Sequence, residues 1–155
     1  MPATFVVDAS VIVEFLVPGG RGAAAGRFMG GLAWAEPLDL FAPDMILLEV
    51  GNVVRKLALA GLVAHPIADE LVARLPELAI AKVESGALLS GAWALRHNMT
   101  IFDASYATLA RELSVPLVTT DAKLARACRS ADIRAFEVDD PELDAILAMF
   151  EPTSG

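Results

Sequence analysis

Three aspartates each sit where an apolar run gives way to helical spacing: Phe5-Val6-Val7-Asp8-Ala9-Ser10, Ile101-Phe102-Asp103 and Pro116-Leu117-Val118-Thr119-Thr120-Asp121. An aspartate in front of a helix ordinarily caps it, its carboxylate accepting orphan backbone N–H groups. Capping accounts for any one of them and less well for all three. Carboxylates gathered at one sheet edge repel one another unless a positive charge sits between them. A hard divalent cation, which prefers oxygen ligands, is the simplest such charge. The chain offers no rival nucleophile: Cys128 lies in a helix-core pattern with no histidine nearby in sequence, and Ser10 has no evident base. His65 reads as a loop residue and His97 as a surface one.

The elements that must position these aspartates follow from periodicity. Residues 4–8 read as a central strand, with Ser10 after it as a helix cap or as a hydroxyl behind Asp8. A short helix over 10–16 stops at Pro18-Gly19-Gly20, and 22–29 is helical. Residues 30–39 read as a loop carrying Trp34 and Pro37. Leu40 to Ala42 is a short strand. The clearest helix runs from Asp44 to Ala60, with Ile46, Val50, Val53, Val54 and Leu57 on one face and Gly61 as its C-terminal stop. Glu49 interrupts the apolar stretch Met45 to Val50 and shares a stripe with Asn52 and Lys56; an ordinary solvated helix stripe would look the same.

Pro66 suits the first turn of a helix to Leu75. A strand is expected over 78–83, a turn at Glu84-Ser85-Gly86, a helix over 87–97 and a left-handed residue at Asn98. Helices over 103–113, with Tyr106, Ala107, Ala110 and Leu113 inward, and over 121–130, with Leu124, Ala125 and Cys128 inward, flank a buried strand at 117–120. A last strand over 134–138 precedes a short helix over 142–150. Helix–strand–helix units of this length specify a parallel α/β sheet, whose ligands bind beyond the carboxyl ends of the strands.

A chain of 155 residues, 55% of them apolar, suits one domain with a full core. It has no run long enough to span a membrane. Met1-Pro2-Ala3-Thr4 lacks the basic region of a signal peptide. A lone cysteine excludes an internal disulfide and a thiolate zinc site, and fits a reducing cytoplasm. The net charge of −8 argues against a nucleic-acid binder, yet residues 132–155 supply −6 of it. Residues 1–131 carry the remaining −2. Strong long-range steering of a nucleic acid is still not expected.

Val7-Asp8-Ala9-Ser10, Glu49-Val50-Gly51-Asn52, Phe102-Asp103-Ala104-Ser105-Tyr106 and Val118-Thr119-Thr120-Asp121-Ala122-Lys123-Leu124, in this order and at these separations, resemble the motifs of PIN-domain ribonucleases. Within that family the likeness is to the VapC-type toxins of bacterial toxin–antitoxin pairs, and it runs from about residue 4 to 138. The resemblance implies a PIN-like, Rossmann-like three-layer α/β sandwich with a central, mainly parallel sheet. It also implies a Mg2+- or Mn2+-dependent endoribonuclease. Asp8 and Asp121 would be the principal metal ligands, with Asp103 and Glu49 bound directly or through water. Ser10, Asn52, Thr119 and Thr120 would orient the carboxylates. Arg55, Lys56, Lys123, Arg126 and Arg129 are candidates for RNA phosphate contact, and Tyr106 for base stacking or the core. A homodimer and a small antitoxin that blocks the site are implied as partners. A haloacid-dehalogenase-type phosphatase would need a second aspartate where Ser10 stands. A receiver domain would need adjacent acids before its first helix. A non-catalytic binding module on the same fold remains the alternative of a different class.

Overall fold

The computed structural model describes residues 3–31 and 37–153; Trp34 and the rest of 32–36, half of the expected 30–39 loop, lie outside them. The elements run β1 (Thr4–Val7), α1 (Ala9–Leu16), α2 (Gly22–Gly30), β2 (Asp39–Pro43), α3 (Ile46–Leu59), α4 (His65–Arg74), β3 (Ala81–Val83), α5 (Leu89–Ala94), α6 (Ile101–Leu113), β4 (Leu117–Thr119), α7 (Ala122–Ser130), β5 (Ala135–Glu137) and α8 (Pro141–Ala148). The five strands form one sheet in the order β3-β2-β1-β4-β5, and every pair is parallel, not mainly so. Central β1 and β4 are the branched, apolar runs Thr4-Phe5-Val6-Val7 and Leu117-Val118-Thr119. Covered on both faces, such strands need apolar residues throughout rather than alternation.

Right-handed crossovers put the helices that link β1 to β3 on one face and those that link β3 to β5 on the other. The packing agrees: α1 lies against α2 and α3, and α3 against α4, whereas α5 lies against α6. One hydrophobic core joins both layers, with Phe5, Phe28, Ile46, Tyr106 and Leu117 among its fully buried side chains.

The helix ends follow their local chemistry. Gly61, at φ +73, closes α3 as expected. The Gly61 N–H donates to the Ala58 carbonyl and the Leu62 N–H to the Leu57 carbonyl, the paired bonds of a Schellman stop. Other expectations need correction. Asn98 is not left-handed; the non-glycine residues at positive φ among those described are Ser114 and Asp132. Residues 75–77 form a 3-10 turn around Pro76, which leaves only Ala81–Val83 of the expected 78–83 strand. The segment after Gly86 starts as a 3-10 turn, and α5 ends at Ala94, not His97. Leu113 points outward, 39% exposed. The acidic terminal segment packs on the body through Leu143 and Leu147 of α8. Arg27 pairs with Asp144 and Glu151 there, and Arg134 with Glu142 at 3.0 Å.

Candidate active site

The chain leaves β1 toward one face and β4 toward the other, although the two strands are neighbours. This reversal opens a crevice beyond their carboxyl ends, the usual ligand position in an open parallel sheet. Asp8 lies one residue past β1 at this crevice and Asp121 two residues past β4.

Asp8 is 6% exposed. Its Oδ2 accepts hydrogen bonds from Ser10 Oγ and Thr119 Oγ1, each at 2.7 Å. Both hydroxyls spend their single proton there and accept from the β4 turn. Thr120 N–H donates to Ser10 Oγ at 3.0 Å and Asp121 N–H to Thr119 Oγ1 at 3.0 Å. The two hydroxyls thus lock Asp8 to the turn that carries Asp121. Burial raises the Asp8 carboxyl above its ordinary range, and the charge of Asp121 adds to the rise; the hydroxyl bonds oppose it without reversing it.

The three aspartates divide between capping and cavity in ways the sequence alone left open. Asp121 is a true N-cap of α7: its Oδ1 accepts from Lys123 N–H at 2.9 Å and Leu124 N–H at 3.2 Å. Asp103 is not a cap. Helix α6 starts at Ile101, and Thr100 caps it by accepting the Asp103 N–H at 3.2 Å. Asp8 precedes α1 but makes no side-chain cap bond.

Glu49 stands in the first turn of α3, half-buried. Its Oε1 accepts from the Tyr106 hydroxyl at 3.0 Å. Tyr106 is fully buried, so it belongs to the core rather than to a stacking surface. Burial and the neighbouring acids raise the Tyr106 pKa, which keeps its hydroxyl a donor. Glu49 and Asp103 are both raised, first by burial and then by nearby carboxylates: Asp8 and Asp103 for Glu49, Asp8 and Asp121 for Asp103.

A cavity of about 470 Å3 is lined by Asp8, Glu49, Asp103 and Asp121 together, with Ser10, Asn52 and Thr120. The quartet is therefore one cluster. Among the described residues, none of its members forms an ion pair. An all-oxygen donor set short of positive charge suits a hard divalent cation. Among the described residues no three acidic, histidine or cysteine side chains stand close enough together to hold a metal ion between them. Magnesium needs no cage, because one or two carboxylates suffice when water and substrate oxygens complete its shell.

The remaining candidates separate. Thr119 acts through its hydroxyl and Thr120 through its backbone. Asn52 lines the cavity and makes no hydrogen bond to a carboxylate among the described residues. Arg55 opens onto a different groove, between α3 and α4, and Lys56 is exposed on α3 outside the cavity. Lys123 lines a second cleft beside Asp103 and Asp121. Arg126 is exposed on α7 outside both, and Arg129 is occupied, donating to the Ala135 carbonyl at 3.1 Å.

The sequence reading missed two residues. Glu14 lines the cavity, and its Oε1 accepts the N–H groups of Gly19 and Arg21, each at 2.8 Å. Its position four residues after Ser10 was the available signal. Arg21 donates to the Thr120 carbonyl and pairs with Glu137 at 3.0 Å and Asp139 at 3.3 Å. It ties the α1–α2 loop to the ends of β4 and β5.

A PIN-domain family model matches residues 5–130. The chain belongs to the PIN-domain family, and within it to the VapC type. It is 37% identical to the Ribonuclease VapC1 of Mycobacterium tuberculosis over 79% of this chain and 89% of that one. It is 36% identical to the Ribonuclease VapC3 of Pyrobaculum aerophilum over 77% of this chain and 91% of that one. The crystal structure of PAE2754 from Pyrobaculum aerophilum shares the fold, at a TM-score of 0.66 and 24% identity over 96% of this chain and 99% of that one.

Proposed function

We propose that the protein is a metal-dependent endoribonuclease, the toxin of a VapBC-type pair, which hydrolyses phosphodiester bonds of single-stranded or looped RNA in the cytoplasm. The observation that carries this reading is the cluster of four carboxylates around one open cavity, with no basic side chain among the described residues paired to any of them. Bound Mg2+ or Mn2+ would supply an activated water and neutralise charge on the phosphate as it is attacked. Asp8 and Asp121 would hold the ion, with Glu49 and Asp103 bound directly or through water. Ser10 and Thr119 fix the Asp8 carboxylate, and Tyr106 fixes that of Glu49, so that neither has to reorganise. Cys128 takes no part: it is fully buried and burial pushes its thiol up to about 12.

The names of the relatives support an RNA substrate and a cognate antitoxin for this chain too. A homodimer is part of the same proposal, and exposed Leu48, Leu59, Leu62 and Ile67 on and around α3 and α4 support a protein partner at that face. No helix among the described residues is long and apolar enough to cross a membrane.

Purified protein, free of antitoxin, is expected to cleave RNA with Mg2+ or Mn2+ and to stop in chelator; equal cleavage in chelator contradicts the metal mechanism. Expression alone is expected to arrest bacterial growth, and Asp8→Asn to relieve the arrest. Undiminished arrest by soluble Asp8→Asn protein would place the activity elsewhere.

A further inference from the structure

Two clefts meet at Asp103 and Asp121. The larger is the cavity on the α1 and α3 side. The smaller, about 150 Å3, lies on the far side of the same two carboxylates, between residues 98–100 and α7. Asn98, Thr100, Lys123 and Leu124 line it. The two differ in charge: among the described residues the larger cavity is lined by no lysine or arginine, whereas the smaller holds Lys123. Lys123 is exposed and forms no ion pair among the described residues. It is close enough that its charge is felt at Asp103. Asn98 is exposed beside it, and its carboxamide has no hydrogen-bond partner among the described residues.

A phosphodiester placed at the carboxylates has a nucleotide on each side, and the cleft across Asp103 and Asp121 adjoins the cavity where one of them can lie. At about 150 Å3, below the roughly 300 Å3 of an ordinary small-molecule pocket, the second cleft takes a phosphate and one edge of a nucleotide rather than the whole of it. Resting on the ribonuclease reading, we propose that this cleft is a subsite for a single nucleotide flanking the scissile phosphate. Lys123 takes that nucleotide's own phosphate, and the Asn98 carboxamide, a donor and an acceptor, reads its base edge. Lys123 holds the next phosphate from the far side of the acid cluster, outside the cavity where the bond is cut.

The test uses the full chain and single-stranded RNA oligonucleotides that vary at one position next to the cut. Lys123→Ala is expected to raise KM roughly two- to fivefold, the range of an exposed ion contact, and to raise it more than it lowers kcat. Binding by Asp8→Asn protein, followed by fluorescence anisotropy, should lose about 0.7 from its log–log salt slope when Lys123→Ala is added. Lys123→Arg should restore the slope. Asn98→Ala should flatten nucleotide preference at that one position and leave the slope alone. An unchanged slope and KM in Lys123→Ala, or a fall in kcat alone, overturns the subsite, as does unchanged preference in Asn98→Ala. If wild type itself neither binds nor cleaves RNA, the ribonuclease reading falls with it; if wild type cleaves and the variants match it, only the subsite falls.

Discussion

Carboxylates in two regions of this molecule meet opposite surroundings. Those of the terminal segment meet arginines: Glu137 and Asp139 pair with Arg21, Asp144 and Glu151 with Arg27, and Glu142 with Arg134. Those at the ends of β1 and β4 meet hydroxyls, backbone N–H groups and one another. The terminal segment supplies most of the formal net charge of −8, yet five of its seven acids have an arginine partner within the fold. The central four are fewer, buried or half-buried in part, and unanswered. Net charge therefore says little about this protein's site; the difference lies in pairing. A cluster that costs stability by repulsion and is nevertheless built from locked side chains is where a ligand is expected.

The comparison breaks most visibly at Asp8. Asp8→Asn keeps shape and removes the most buried charge of the four. Its cleavage rate should fall by more than the roughly 100-fold that an outer partner of a metal site is worth; a loss under tenfold would mean the cluster is not the reacting centre. Next in size is Thr119→Val, which keeps volume and removes the hydroxyl that joins Asp8 to the Asp121 backbone. It should lower Mn2+ affinity or activity by roughly 10–100-fold and destabilise by about 1–3 kcal/mol, because buried polar groups lose their partner. Titration calorimetry and denaturant unfolding check the two halves separately.

A third contrast concerns pH. Asp8, Glu49 and Asp103 have folded pKa values raised above the unfolded ones, so the folded state binds their protons more tightly. Their cost is full above the raised values and disappears as pH falls through them toward the ordinary carboxylate range. Metal-free protein should therefore melt higher at mildly acidic pH than at pH 7.5, and Asp103→Asn should gain less on the same acidification. Equal gains would remove repulsion as the cause. The smallest effect belongs to the terminal segment: Glu142→Gln breaks an exposed pair and should change stability by no more than about 1 kcal/mol, with cleavage unaltered.

What the sequence made legible was periodic or punctuated. The aspartates marked strand ends because apolar runs changed period at them, Glu49 broke an apolar helix face, and Gly61 stopped α3. What it hid depended on distant partners or on a boundary. Ile101 and Phe102 read as lead-in to Asp103, but Phe102 is 64% exposed in the first turn of α6, and the cap is Thr100. Tyr106 had the spacing of a core residue, which it is, while its hydroxyl serves a glutamate 57 positions away. Arg21 reaches across 99 positions to Thr120, a contact that no local pattern encodes. Leu78 to Ile80 carried a strand's composition but lie where the 3-10 turn at Pro76 delays entry into β3.

The central claim, that the unpaired carboxylates form a divalent-cation site, is tested most directly by the melting temperature of wild type and Asp103→Asn, each with and without Mg2+. An ion that binds only the folded state adds roughly 2.7 kcal/mol at a hundredfold excess over its dissociation constant. Because Thr100 caps α6, replacing Asp103 leaves the helix start intact. Metal-free Asp103→Asn is expected to melt higher than metal-free wild type, and Mg2+ to raise its melting temperature less. Equal metal-free melting temperatures together with an equal Mg2+ increment would contradict that claim.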